Sequence, residues 1–131
     1  MSRDFEGFQN QPHRRAKGKF GEEEAVRWLA SQGYDIVERN VVNHGGELDV
    51  VAREGETLCF IEIKARASDA FGPAIAAVDA RKQRRISRAA ALYIAVKGLH
   101  NAPCRFDVLG LDWEGRAWRY TLVRNAFPYA G

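Results

Sequence analysis

Gly46-Glu47-Leu48-Asp49-Val50-Val51-Ala52-Arg53-Glu54-Gly55-Glu56-Thr57-Leu58-Cys59-Phe60-Ile61-Glu62-Ile63-Lys64 decides how this chain reads. Residues Glu47 to Ala52 and Thr57 to Lys64 have strand character, and Arg53-Glu54-Gly55-Glu56 between them is a short hairpin loop. Successive side chains of a strand point to opposite faces. Leu58, Phe60, Glu62 and Lys64 therefore share one face, and Cys59, Ile61 and Ile63 the other. Glu62 and Lys64 lie at the end of an otherwise apolar strand, where ionised groups cost several kcal/mol unless paired, hydrated or bound to metal. If the hairpin register sets Asp49 opposite Glu62, two carboxylates and an ammonium converge; a slip of one residue would turn Asp49 away.

Such a set suits phosphodiester hydrolysis. Carboxylate oxygens are hard ligands for Mg²⁺ or Mn²⁺, which keep open positions for water and phosphate. The Ile63 backbone carbonyl is a further candidate ligand. A neighbouring lysine can orient water, act as a base or neutralise developing charge.

Outward from this stretch, Phe20, Ala25, Trp28 and Leu29 recur at helical spacing between about Gly18 and Gln32, and Gly33 follows as a helix stop. Tyr34 to Arg39 alternates as a short strand, and Asn43-His44-Gly45-Gly46 is a turn. Residues 65 to 73 read as a loop ending in Gly72-Pro73. A helix follows, starting at Ala74 or Asp79, running to Lys97 and closed by Gly98, with Arg81, Arg85 and Arg88 near one another. Cys104 to Leu111 and Arg116 to Val123 are two further strands, and Asn125 to Gly131 is a loosely docked tail. The expectation is an α/β domain of order α-β-β-β-α-β-β. Its mixed central sheet is flanked by helices, with an antiparallel meander at its heart. Residues 1–17 form a flexible basic arm, 18–127 the single domain and 128–131 the tail.

The chain of 131 residues has room for one core. No apolar run is long enough to span a bilayer, and the first residues lack the apolar stretch of a secretory signal, so a cytoplasmic location is expected. Cys59 and Cys104 read as buried core thiols, and three scattered histidines argue against zinc. The net charge is +3. Basic residues gather in the arm (Arg3, Arg14, Arg15, Lys17, Lys19) and in Arg81-Lys82-Gln83-Arg84-Arg85 with Arg88. Acidic residues gather at Glu22-Glu23-Glu24 and between Glu47 and Glu62. Separate zones of this kind suit a protein that holds a metal beside a phosphate backbone.

Asp49 with Glu62-Ile63-Lys64 resembles the PD-(D/E)XK motif of the restriction-endonuclease-like superfamily, with Leu48 where the motif has Pro. More closely, the chain resembles the YraN-like family of small bacterial proteins of unassigned function, related to archaeal-type Holliday junction resolvases. The matching segments include Gly21-Glu22, Gly33-Tyr34, Arg39-Asn40, Gly46 to Asp49, Phe60 to Lys64 with Arg66, Lys82-Gln83 with Arg85, Arg105 to Val108 and Asn125-Ala126-Phe127. The resemblance implies a restriction-endonuclease-like core. It implies catalytic roles for Glu22, Asp49, Glu62 and Lys64. Asp49, Glu62 and the Ile63 carbonyl would be metal ligands, with Glu22 acting through water. Arg66, Arg81, Lys82, Gln83, Arg85 and Arg88 would contact nucleic acid, DNA before RNA. Activity as a Mg²⁺-dependent endodeoxyribonuclease on branched or damaged DNA is the resulting expectation. The alternative is a non-catalytic nucleic-acid-binding module or a scaffold subunit of a repair complex. A homodimer is open, with Phe127-Pro128-Tyr129 as a candidate contributor.

Overall fold

The computed structural model describes residues 11–66 and 78–131, with side chains from residue 21 onward in the first segment. Its elements run α1 (Gln11–Ser31), β1 (Asp35–Asn43), β2 (Gly46–Glu54), β3 (Thr57–Arg66), α2 (Ala80–Lys97), β4 (Cys104–Trp113) and β5 (Trp118–Phe127). This is the expected α-β-β-β-α-β-β order, and the mixed sheet is consistent with a restriction-endonuclease-like core. The strands form one sheet in the order β1-β2-β3-β4-β5. β1, β2 and β3 are an antiparallel meander, β4 runs parallel to β3, and β5 returns antiparallel. α2 makes the crossover that a parallel pair requires.

The alternation of β3 builds two cores. Cys59 and Ile61 join Val50, Ala52, Leu109 and Leu111 beneath Ala25 and Leu29 of α1. Leu58 and Phe60 join Val51, Phe106 and Val108 beneath Ile86, Ala89, Ala90 and Tyr93 of α2. One helix therefore covers each face. Ala25 and Leu29 are one helical turn apart and fully buried. Trp28, beside them, stacks flat on Tyr120 at a ring separation of 4.6 Å.

Several boundaries differ from the sequence expectation. The helix expected from Gly18 begins at Gln11, with Pro12 in its first turn, where the missing N–H costs nothing. The proposed arm is thus helical from Gln11, while its first ten residues lie outside the described ones, as do the Gly72-Pro73 loop and the alternative helix start at Ala74. α2 starts at Ala80: Asp79 is its N-cap, accepting from the Lys82 N–H, and Gly98 closes it in the left-handed region at φ 67°. The end of the chain is not a loose tail. Phe127 is buried and stacks on Phe106 at 5.0 Å, and the Ala130 N–H donates to Ser87 Oγ at 2.9 Å. Of the aromatic end considered for an interface, Tyr129 is exposed and Phe127 is not. Cys59 is buried as expected, but Cys104 is exposed at the first position of β4.

The turn between β1 and β2 is locked onto α2. Asn43 Nδ2 donates to the Ala89 carbonyl at 3.1 Å, while Asn43 Oδ1 accepts from the N–H groups of Gly45 and Gly46. A Cβ on Gly45 would lie 2.7 Å from the Arg88 carbonyl carbon and 2.8 Å from Ala89 N. That is helix backbone and cannot swing aside. Gly45→Ala is expected to destabilise the protein by about 1–3 kcal/mol, the usual cost of overpacking. Thermal melting of the variant measures it, and an unchanged midpoint would show that the turn moves freely off the helix.

Far from this turn, Asp107 is fully buried in β4. Its carboxylate accepts from Tyr34 Oη at 2.8 Å, Arg105 Nε at 2.8 Å, Arg105 Nη2 at 3.0 Å and the Asn125 N–H at 2.9 Å. The β4–β5 register shifts at this point, and Asn125 has a positive φ of 54°. The carboxylate thus takes a backbone donor that the irregular ladder leaves over. Arg105 also pairs with Glu54, which Arg124 holds from the other side. These two guanidiniums depress the Glu54 pKa from 4.5 to about 2. A carboxylate depressed on folding stabilises the fold above its unfolded pKa and loses that contribution as pH falls towards its folded one. Denaturant stability should therefore decline between about pH 4.5 and pH 2, and Glu54→Gln should flatten that decline. An identical acid limb in the variant would remove Glu54 from the account.

Candidate functional site

β2 and β3 part company at one end of the sheet. Their pairing runs from Glu54↔Thr57 to Val50↔Ile61 and stops. Beyond it, Leu48 and Glu47 stay with β1 (Val41↔Leu48, Val42↔Glu47), while Ile63 and Lys64 stay with β4 (Ile63↔Leu109, Lys64↔Gly110). The pleat slips at the same place. Val50 and Ala52 face the α1 core, yet Leu48 packs in the α2 core, although residues two apart in a regular strand share a face. Asn40, which the β1–β2 register sets opposite Asp49, has a positive φ of 53°. Asn tolerates that region better than most residues, and the strand pair twists there.

The fork presents Asp49. Continuing the β2–β3 register sets it opposite Glu62, as the sequence reading assumed. Asp49 Oδ2 accepts from the Ile63 N–H at 2.8 Å, replacing the backbone acceptor that β2 no longer offers. The Asp49 and Glu62 carboxyl groups face each other across the fork, and each affects the other's ionisation. Burial and the Asp49 charge push the Glu62 pKa up to about 8. Burial also raises Asp49, against the lowering effect of the Ile63 N–H. Lys64 is pulled below its ordinary value by burial and by the Lys82 ammonium beside it. Lys82, from the first turn of α2, reaches to 3.8 Å from Glu62 Oε2.

These groups line a cleft of about 220 Å³, together with Glu22, Glu47, Arg85 and Ile86. Glu22 comes from α1 on the opposite side of the sheet, and its pKa is raised by burial and then by Asp49. The fork is what lets side chains from both helices meet one space. All four residues singled out in the sequence, Glu22, Asp49, Glu62 and Lys64, line it.

Among the described residues, no three His, Cys, Asp or Glu side chains form a ready-made chelate. The chain instead offers two neighbouring carboxyl groups, Asp49 and Glu62, whose mutual repulsion a divalent cation would relieve. Mg²⁺ is commonly held by one or two carboxylates, with water and phosphate completing its shell, so this donor set fits Mg²⁺ or Mn²⁺. It lacks the nitrogen and sulfur donors typical of zinc.

The residues expected to contact nucleic acid separate into groups. Arg81, Arg85 and Arg88 line a second, larger cleft of about 570 Å³ between α2 and the β1–β2 turn. Arg84 and His44 line it too. Arg84 belongs to the basic run of the sequence, and His44 reaches the cleft because its turn folds onto α2. Lys82 belongs to the carboxylate cleft. Gln83 is occupied elsewhere, donating to the Val78 carbonyl at 3.2 Å. Arg66, half-buried at the end of β3, lines neither of these clefts.

A family model described as "Uncharacterised protein family UPF0102" matches residues 21–111, which contain both clefts. The chain belongs to the UPF0102 family. It is 49% identical over 92 residues to a UPF0102 protein of Hahella chejuensis, covering 70% of this chain and 74% of that one. It is 41% identical over 118 residues to one of Geobacter metallireducens, covering 90% and 97%. A third, from Moorella thermoacetica, is 42% identical over 116 residues, covering 87% and 97%. This is the YraN family that the sequence motifs resembled. Membership brings no reaction with it, so function has to be argued from the clefts. Among the described residues, no helix is long and apolar enough to cross a membrane.

Proposed function

We propose that this UPF0102 chain is a metal-dependent endodeoxyribonuclease of PD-(D/E)XK type, hydrolysing phosphodiester bonds in DNA, branched or damaged forms included. One observation carries the reading: Asp49 and Glu62 are driven together at a fork in the sheet, beside Lys64, in a cleft open to solvent. Two carboxyl groups buried beside each other weaken a fold. A cation and a phosphate give the pair a use.

In this reading Asp49, Glu62 and the Ile63 carbonyl hold Mg²⁺ or Mn²⁺, with Glu22 reaching it through water. The ion, when bound, polarises the phosphate and lowers the pKa of a coordinated water. The Ile63 N–H fixes the Asp49 carboxylate, so one ligand is oriented before metal arrives. Lys64 follows Glu62 by two residues along the same strand. Its depressed pKa favours taking a proton from the attacking water, and when protonated it offsets charge on the phosphate. Lys82 supplies the counter-charge that keeps Glu62 from being wholly neutral.

Reading the chain as a non-catalytic DNA-binding module or a scaffold would use the arginine cleft and leave the carboxylate pair without a role. The deciding experiment presents linear duplex, single-stranded, flap and four-way-junction DNA to the wild type and to Glu62→Ala/Lys64→Ala, with Mg²⁺ or Mn²⁺ and with chelator. Cleavage by the wild type alone, lost with chelator, is the expected result, and the favoured substrate names the DNA form. Salt-dependent binding without cleavage of any form would move the function to the binding module.

A further inference from the structure

We infer that the cleft between the β1–β2 turn and α2, walled by Arg81, Arg84, Arg85 and Arg88 with His44, is a docking site for a DNA phosphate that neighbours the one in the carboxylate cleft. The inference rests on the hydrolytic reading for what the neighbouring cleft does, but its own ligand chemistry stands apart from it.

The first ground is charge. Among the described residues, Arg27, Arg39, Arg105, Arg119 and Arg124 each pair with a carboxylate. The four α2 arginines make no such pair among the described residues, nor do Arg53, Arg66 and Arg116, but it is the four that crowd into two turns of one helix and line one space. Like charges gathered in this way repel, and an anion among them relieves the repulsion. A guanidinium presents a planar fork of donors that matches phosphate oxygens.

The second ground is construction. The opposite wall is held in place by Asn43, which ties the turn to the Ala89 carbonyl, and by the backbone contact at Gly45. The N–H groups of Gly45 and Gly46 already serve Asn43 Oδ1. The turn therefore gives the space its shape, and the guanidiniums alone give it its ligands. The third ground is position. Arg85 lines both clefts, so a strand leaving the carboxylate cleft along α2 enters this one directly. Arg81, Arg85 and Arg88 then succeed one another at about 4.5–6 Å along the helix axis.

The test is binding in chelator, where no cutting occurs. The affinity of a fluorescent DNA duplex is measured over a series of NaCl concentrations for the wild type, Arg84→Ala/Arg88→Ala and Arg116→Ala. Arg84 and Arg88 are exposed and line only the arginine cleft, so thermal melting should confirm an intact fold. Each phosphate contact contributes about 0.9 to the slope of log affinity against log salt, so the double variant should lose up to about 2 from it. Arg116, exposed in the turn before β5, should leave the slope as it is. A double-variant slope equal to wild type, an equal fall in Arg116→Ala, or no salt-dependent binding by the wild type would each overturn the inference. Failure of the hydrolytic reading shows elsewhere, as absence of metal-dependent cleavage by a protein that still passes this test.

Discussion

Glu62→Gln is expected to abolish cleavage and to leave the fold as stable as before or more so. The side chain is 7% exposed, and its pKa is raised from 4.5 to about 8 by burial and by Asp49. A carboxyl raised on folding favours the fold when protonated and opposes it once pH exceeds its unfolded value. A neutral amide of the same shape escapes that cost. In chelator, the gain in denaturant stability should open above about pH 4.5 and widen until about pH 8. On the proposed reading Glu62 is a metal ligand, and its loss would remove several kcal/mol of transition-state stabilisation, so the rate should fall by about 10³-fold or more. If Glu62 instead serves the fold through Lys82, at 3.8 Å, its replacement breaks an ion pair with one half-exposed partner and lowers stability. Urea unfolding and initial cleavage rates on the same preparation separate the two roles. A destabilised variant that still cuts would reverse the assignment.

Asp107→Ala should do the opposite. Its carboxylate accepts from Tyr34, Arg105 and the Asn125 N–H in a fully buried position. Removing it leaves the half-buried Arg105 with Glu54 as its remaining carboxylate partner and the N–H of the positive-φ Asn125 without its acceptor. The expected cost is about 3–5 kcal/mol, typical of breaking a buried charge pair from one side. Cleavage by the folded fraction at low temperature should persist, because Asp107 lines neither cleft. A midpoint in urea close to wild type would show that Glu54 alone can satisfy Arg105.

The contrast between these two acids explains what could be read from the sequence. Glu62 and Lys64 announced themselves because the two-residue period of a strand placed charge at the end of an apolar face. The convergence with Asp49 needed the register, and the register needed the short hairpin at Gly55. The fork itself was hidden. It depends on Asn40 adopting a positive φ and on the pleat slipping at Asp49, and neither alters the pattern of apolar residues enough to be noticed. The anchoring role of Asp107 was hidden because its partners Tyr34 and Asn125 are far away in sequence and only the folded sheet joins them. α1 was read too short because Gln11 to Gly18 carries no apolar period, although it contains Arg, Ala and Lys, all good helix formers. β5 was read too short because the bulge at Asn125 breaks the alternation before pairing resumes at Phe106↔Phe127. The arginines were visible as a run, but their division between two clefts was not, since it is set by how the Asn43–Gly46 turn lies against α2.

In the function proposed above, the fork between β2 and β3 holds a divalent cation. Isothermal calorimetry of Mn²⁺ into metal-free protein tests it most directly, with wild type beside Asp49→Asn/Glu62→Gln. Saturable uptake near one ion per chain, lost in the double variant while its fold persists, is the predicted result. Equal uptake by both proteins, or none by either, would contradict it.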